Sequence, residues 1–335
     1  MKFLSISLIA TILSISFVMC DNDRWEWTGP ETENIENTNA EIPLEFNNYL
    51  GNSENIHPKV LYFKNGWNGY RFWMAYTPYP SGSTVDENPC MAASHDGKEW
   101  ETPTGLVNPL SPAPVNGYNS DTHLVYNKSS DTLECWWREF DKTTQSDAIC
   151  RKISKDGIHW GEKETVMPFD KSKGMRLSPA VQLENGEYVM VYCDMRELQV
   201  VRCKGTEDNW TWSAPEPIHI DWGELRPWHQ DIITTRDGRH ELVVCAYGPE
   251  GSNNEADLYY VSTDKDFTGA TAPVLILRRG WSRYDFDQRS IYRSSIVMVD
   301  NYYYLYYSSI DKQWHRHMGL AIGKDIMHLT GIGKD

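Results

Sequence analysis

Ser94-His95-Asp96-Gly97-Lys98-Glu99-Trp100 and Ser154-Lys155-Asp156-Gly157-Ile158-His159-Trp160 share the form Ser-x-Asp-Gly-x-x-Trp, and their spacing decides the fold. An acid stands seven residues before each serine, Glu87 and Asp147. The same offset places Glu197 before Lys204 and Glu255 before Ser262. Trp210 follows Lys204 by six residues, while the fourth copy is looser and offers Phe267. The landmarks are sixty, fifty and fifty-eight residues apart, with tight turns between them at Asp96-Gly97, Asp156-Gly157, Asn185-Gly186 and Asp237-Gly238. A long period with hairpin turns inside it is the pattern of a β-propeller. Each copy reads as a first strand, an aromatic-rich second strand, an acidic corner, a third strand and a turn leading to the tryptophan, which is one four-stranded blade. First strands start near His57-Pro58, Ser120-Asp121, Ser178-Pro179, Gln230-Asp231 and Arg293-Ser294, so a fifth blade follows the four acidic copies. The expectation is an all-β, five-bladed β-propeller with four-stranded blades over residues 55–335, as a single domain.

The N-terminal part reads differently. Met1-Lys2 and the apolar stretch from Phe3 to Met19 form a secretory signal over residues 1–20. Phe17-Val18-Met19-Cys20 resembles a bacterial lipoprotein cleavage site, which implies lipid attachment at Cys20 and an exported protein anchored in the outer membrane. Acids and amides from Asp21 onwards make residues 21–54 a polar tether and lead-in. A net charge of −15 with no Lys/Arg cluster excludes nucleic acid as a partner, because phosphates would be repelled. Fourteen Trp and nineteen Tyr suit inter-blade packing first and sugar stacking second. The six cysteines after Cys20 are expected as buried free thiols, because antiparallel register sets Cys193 apart from Cys203 and Cys135 apart from Cys150. No Cys/His spacing suggests zinc.

Antiparallel alternation puts the start of each innermost strand and the corner between strands two and three on one face of the disc. His57, Asp121, Asp231 and Arg293 therefore share a face with Glu87, Asp147, Glu197 and Glu255, and the Asp-Gly turns, whose role is geometry, lie opposite. Asp121 and Asp231 are the leading channel-facing carboxylates, since the segment ending Asp121-Thr122-His123 runs into apolar Leu124-Val125-Tyr126 and Asp231 directly precedes Ile232-Ile233. Each corner acid has an alternative reading as a strand-entry residue bonded to a neighbouring blade.

His57-Pro58, Glu87-Asn88-Pro89 and the recurring Ser-x-Asp-Gly-x-x-Trp resemble the five-bladed propeller glycoside hydrolases of the arabinanase, invertase and levansucrase type, including families 43, 32, 62 and 117, and similar Bacteroidota lipoproteins. The resemblance spans about residues 55–330. It implies three acids at the starts of the innermost strands of blades one to three, where this chain has His57, Asp121 and Ser178. Only Asp121 matches, so the other acids would come from Glu87, Asp194, Glu197 or Asp231. The resemblance thus implies a glycosidase in which Asp121 and Asp231 supply base or nucleophile, Glu197 is the acid, and Glu87 and Asp194 orient and tune. Sugar contacts are expected from His57, Tyr118, Asn119, Arg138, Trp228, His229, Trp281, Arg293 and Trp314. No cofactor is implied, with a structural calcium ion in the channel left open. The rival readings are a non-catalytic glycan-binding lipoprotein and a phosphorylase or lyase on the same scaffold.

Overall fold

In a computed structural model, the described residues are 37–170, 175–194, 197–204, 210–280, 282 and 285–333. The expected signal segment, Cys20, the expected tether up to residue 36 and Trp281 lie outside them. The described residues belong to one compact unit.

Five antiparallel sheets follow one another along the chain. Blade 1 holds β1 (Asn55–Trp67), β2 (Tyr70–Pro78) and β3 (Cys90–Ser94), and its outer edge is reduced to a single bridge between Ala93 and Glu101. Blade 2 holds β4 (Gly117–Asn127), β5 (Thr132–Asp141), β6 (Ser146–Ser154) and β7 (Glu164–Asp170). Blade 3 holds β8 (Leu177–Glu184), β9 (Glu187–Cys193), β10 (Leu198–Cys203) and β11 (Glu216–Ile218). Blade 4 holds β12 (Arg226–Thr234), β13 (His240–Tyr247), β14 (Asp257–Thr263) and β15 (Val274–Leu277). Blade 5 holds β16 (Ser290–Val299), β17 (Tyr302–Ile310), β18 (Arg316–Gly323) and β19 (Thr330–Gly331). This is the five-bladed propeller expected from the repeat.

The strands are buried on both faces because each blade packs against two others, so β9 and β13 read as near-continuous apolar runs rather than alternating ones. Serine hydroxyls of blade 5 close the ring onto the β1 backbone: His57 N donates to Ser308 Oγ at 3.0 Å and Val60 N to Ser295 Oγ at 2.9 Å. Residues 37–46 add to that closure. Thr38 N donates to Leu329 O and Leu44 N to Met318 O, while Leu44 and Phe46 enter the core between blades 1 and 5. The lead-in is therefore docked from Asn37 onwards, its amide donating to the carbonyls of Ile276 and Ile326.

The repeated Ser-x-Asp-Gly element is a self-contained turn. Ser154 Oγ accepts the Gly157 N–H at 2.8 Å, and Asp156 Oδ1 accepts those of Ile158 and His159 at 2.9 and 2.8 Å. Ser94 and Asp96 repeat the arrangement at Gly97, Lys98 and Glu99. These aspartates serve the turn, as the Asp-Gly pattern implies. Trp100 and Trp210 pack at the outer strands, Trp100 in the core and Trp210 under the Arg151 guanidinium at 4.6 Å. Cys90, Cys135, Cys150, Cys193, Cys203 and Cys245 are buried free thiols, with Cys203 opposite Tyr188 and Cys193 opposite Leu198 as the register argument required.

Gly157 has φ +75, and a Cβ there would run into the fully buried Trp73 ring. Gly157→Ala should lower the unfolding free energy by about 2–4 kcal/mol in urea titration. Gly186→Ala meets no neighbour at φ +81 and should lose only about 1 kcal/mol.

Candidate functional site

The innermost strands do not run straight into the channel mouth. β1 slips register between Ile56 and Lys59, β4 between Ser120 and His123, and β8 between Leu177 and Ala180. At each slip one residue takes a left-handed backbone: His57 at φ 56, Asp121 at φ 56 and Ser178 at φ 55. A bulge re-aims the side chain it carries, and non-glycine residues tolerate positive φ only when their surroundings hold them there. The three equivalent positions named in the sequence are thus turned toward one mouth. In blade 4 the slip lies between Pro227 and His229, two residues before Asp231. His229, rather than Asp231, therefore meets Asp121.

His57, Asp121 and His229 form a cluster whose three candidate ligand atoms lie within 4.8 Å of one another. Asp121 Oδ1 is 3.6 Å from His57 Nε2 and 3.4 Å from His229 Nδ1, and its Oδ2 accepts the Ser178 N–H at 3.0 Å. His57 Nδ1 lies 3.2 Å from Glu87 Oε1 and 3.0 Å from Thr77 Oγ1. All four side chains of the set His57, Glu87, Asp121 and His229 are at most 5% exposed.

Burial drives the His57 imidazole well below its usual pKa and holds that of His229 down to about 4, so both rings are neutral at neutral pH. Burial also works to raise the Asp121 carboxyl, but His229, His57 and Arg293 outweigh it and keep the group below the ordinary carboxylate range. Glu87 moves the other way. Burial, and then the Asp121 charge, push it well above the usual glutamate value, so its protonated form is favoured beside an ionised neighbour.

The donor set fits a divalent first-row metal ion. His57 Nε2 and both ring nitrogens of His229 are buried without a hydrogen-bond partner, an arrangement that costs free energy unless something accepts the lone pairs. Neutral imidazoles and an ionised carboxylate are the protonation states ligands need. Two ligand atoms each about 2.1 Å from an ion stand roughly 3–4 Å apart, as the two Asp121 distances do. Two histidines and one carboxylate leave further positions open for water and substrate. Short-range spacing gives no sign of this set, because its members come from three separate blades.

A pocket of about 140 Å³ opens beside the cluster, lined in part by Tyr79, Tyr292 and Arg316. Tyr292 joins the two: its ring centroid is 4.5 Å from that of His229 and 5.4 Å from that of His57, and its hydroxyl accepts the Trp228 Nε1–H at 3.1 Å. Tyr79, Tyr292 and Arg316 were not singled out from the sequence. Tyr292 sits in the β16 register slip, the position matching His57 and Asp121, which is the signal that would have found it.

The other expected residues lie elsewhere. Asp231 is one layer deeper, paired with Lys59 Nζ at 2.8 Å and accepting the Ile296 N–H at 2.9 Å. Arg293 is fully buried in that layer, with Nη2 on Pro179 O and near His123 Nδ1. Arg138 pairs with Asp147 at 3.0 Å and lies over Tyr118, and Asn119 bonds Asn88 Oδ1 and Ser111 O. Glu197 and Asp194 share a loop in which Asp194 Oδ1 accepts the Glu197 N–H and Gln199 donates to both carboxylates. Trp314 is exposed on the far side of Arg316, under the Arg289 guanidinium at 3.6 Å.

No protein-family model matches the chain. In sequence it is similar to the A type blood N-acetyl-α-D-galactosamine deacetylase of Flavonifractor plautii, 28% identical over 318 aligned positions that take in 78% of this chain and 41% of that protein. The chain thus spans less than half the length of this relative. A crystal structure of an N-acetylgalactosamine deacetylase from F. plautii, in complex with blood group B trisaccharide, superposes with a TM-score of 0.71 at 21% identity over 88% of this chain and 96% of that one. An α-L-arabinofuranosidase from Podospora anserina in complex with cellotriose gives 0.64 at 12% identity over 87% and 98%. An exo-β-1,3-galactanase from Phanerochaete chrysosporium with galactose gives 0.61 at 10% over 89% and 67%. At these identities the likeness shows the fold, the one shared by the propeller glycoside hydrolases that the sequence resembles.

Two outcomes follow from the charges. An imidazole depressed below 6.5 takes up protons more readily in the unfolded chain, so its contribution to stability is complete above pH 6.5 and is lost as pH falls toward about 4. In urea unfolding of chelator-treated protein the His229 share of that loss should be roughly 3 kcal/mol, read as the difference between wild type and His229→Gln across that window. Asp231→Asn leaves Lys59 buried and uncompensated, and should lower stability by about 3–5 kcal/mol in the same assay, with the ion affinity of the upper cluster retained.

Proposed function

We propose that this chain is a metal-dependent deacetylase acting on an N-acetylated amino sugar within a glycan. The observation that carries the reading is the His57, Asp121 and His229 cluster, with its unpartnered buried nitrogens beside a pocket. The similarity to a deacetylase of N-acetyl-α-D-galactosamine supports the choice of bond.

Asp121, His57 through Nε2 and His229 would hold the ion. A divalent ion bound there supplies Lewis-acid polarisation of the amide carbonyl and a water of lowered pKa. Ser178 N–H fixes the second oxygen of Asp121, so the carboxylate turns Oδ1 toward both histidines. Glu87 moves the proton. Hydrolysis adds water to the carbonyl carbon and breaks the C–N bond, acetate leaves with the water oxygen, and the amine nitrogen takes a proton. A buried, protonated Glu87 can hand that proton to nitrogen and recover one from the water. Tyr292 and the pocket wall exclude solvent around the reacting group.

One observation favours a second reading, the glycosidase implied by the sequence resemblance. An ionised Asp121 near a protonated Glu87 is also the acid and base division that glycoside hydrolysis uses. It leaves the bare nitrogens of His57 and His229 without a role, which is why the deacetylase ranks first. The leader and Cys20 support an exported, lipid-tethered protein meeting glycans at the cell envelope.

The test is to incubate the protein with divalent ions and glycans bearing N-acetylgalactosamine or N-acetylglucosamine, and to measure acetate and new reducing ends separately. Acetate release is expected, lowered about 10²–10⁴-fold in kcat by Glu87→Gln with bound metal retained. Asp121→Asn should lower metal affinity by about tenfold or more, read by titration calorimetry. Reducing ends without acetate would replace this reading with the glycosidase, and neither product would point to a binding protein.

A further inference from the structure

The pocket wall opposite Tyr292 carries a buried cation whose positive charge nothing nearby neutralises directly. Arg316, at the start of β18, is 5% exposed and lines the pocket. Aromatic faces hold it rather than acids. Its Cζ lies 5.0 Å from the Tyr79 ring centroid and 5.9 Å from that of Trp314, and Nη1 donates to the Trp314 carbonyl oxygen. Nε has no hydrogen-bond partner, and among the described residues no carboxylate comes within 4.0 Å of the guanidinium.

The two acids that act on it most strongly are committed elsewhere. Glu54 Oε2 accepts the backbone N–H groups of Ser81 and of Arg316 itself, both at 3.0 Å. Asp311 Oδ2 faces His315 Nδ1 and His317 Nε2, each at 3.2 Å. A second cation, Arg289, lies over the same Trp314 ring, and its Nε is likewise buried without a partner. Gly82 makes room, since a Cβ at that position would sit 3.0 Å from Arg316 Nη2.

A guanidinium stacked on aromatic rings keeps its edge donors free, and those donors match a planar or tetrahedral anion in a way that a neutral hydroxyl does not. Burying a cation without its counter-ion costs free energy that an anionic ligand would return. A positive wall is also unexpected by chance in a chain of net charge −15.

We propose that the pocket beside the His57, Asp121 and His229 cluster contains an anion subsite built on Arg316, which takes the carboxylate or sulfate group of an acidic glycan. This deepens the deacetylase reading and rests on it for the amino sugar: the substrate carries its N-acetyl group next to an acidic substituent. Tyr79 and Trp314 position the guanidinium, and Arg289 adds to the attraction at the rim.

Calorimetric titration of the wild-type protein with three matched disaccharides of an N-acetylated amino sugar tests this without relying on turnover. One carries a neutral hexose partner, one a uronic acid and one an O-sulfate. At least one acidic ligand should bind about tenfold more tightly than the neutral one, a preference that weakens in high salt. Whether uronate or sulfate shows it identifies the source of the anion. The preference should fall to within about twofold in Arg316→Gln and be partly kept in Arg316→Lys. Equal affinity for neutral and acidic ligands in the wild type overturns the subsite whatever the variants do. Anion preference without acetate release from any ligand would sustain the subsite and sink the deacetylase, whereas acetate release at equal rates from all three, with equal affinities, would do the reverse.

Discussion

The mouth of this propeller depends on one buried carboxylate. Asp121 bonds the backbone of Ser178 in blade 3 with one oxygen, and turns the other toward His57 in blade 1 and His229 in blade 4. A 2%-exposed carboxylate would be expelled or protonated if these partners were missing, so four blades must arrive in one geometry for it to remain ionised. The arrangement uses left-handed backbone at His57, Asp121 and Ser178, each a strain of about 1–3 kcal/mol. Hydrogen bonds around those residues hold them in place: Ser308 accepts the His57 N–H, Thr122 donates to the His57 carbonyl, and Gln230 donates to that of Ser178.

Below this layer lies a second one with a different character. Lys59 pairs with Asp231, Arg293 Nη2 donates to the Pro179 carbonyl beside His123, and the Asp231 carboxylate also anchors blade 5 through Ile296 N–H. Its carboxylate is paired directly with a lysine, whereas the carboxylate of the upper layer faces histidine nitrogens that have no hydrogen-bond partner. A paired buried carboxylate holds blades in register, and bare imidazole nitrogens ask for a ligand. That contrast separates scaffold from site more clearly than the identity of the acids does.

The same scaffold therefore supports more than one kind of bond cleavage. Glycoside hydrolysis on such a propeller requires carboxylates at the strand starts, and at two of those starts this chain has a histidine and a serine. The histidine brings an imidazole nitrogen where an acid would have been, and the serine contributes its backbone N–H to Asp121. Fold-level similarity is silent on that difference, so the chemistry has to be read from side chains.

The five blades, the turn chemistry and the free thiols are legible in the sequence because they rest on local patterns. Ser-x-Asp-Gly closes on its own backbone, and antiparallel register alone keeps Cys193 away from Cys203. Asp121, His57 and Glu87 are also legible as residues of one face, since alternation of strands fixes which ends meet. What the sequence by itself left undecided is depth. The slip in β12 ends at His229, two residues short of Asp231, which brings His229 to the level of Asp121 and leaves Asp231 deeper, against Lys59. Tyr292, Tyr79 and Arg316 come together only when blade 5 closes against blade 1. Local propensity sets each strand, but the register slip of an innermost strand answers to the backbone and side chains of the neighbouring blades, so only the assembled ring decides which side chains share a site.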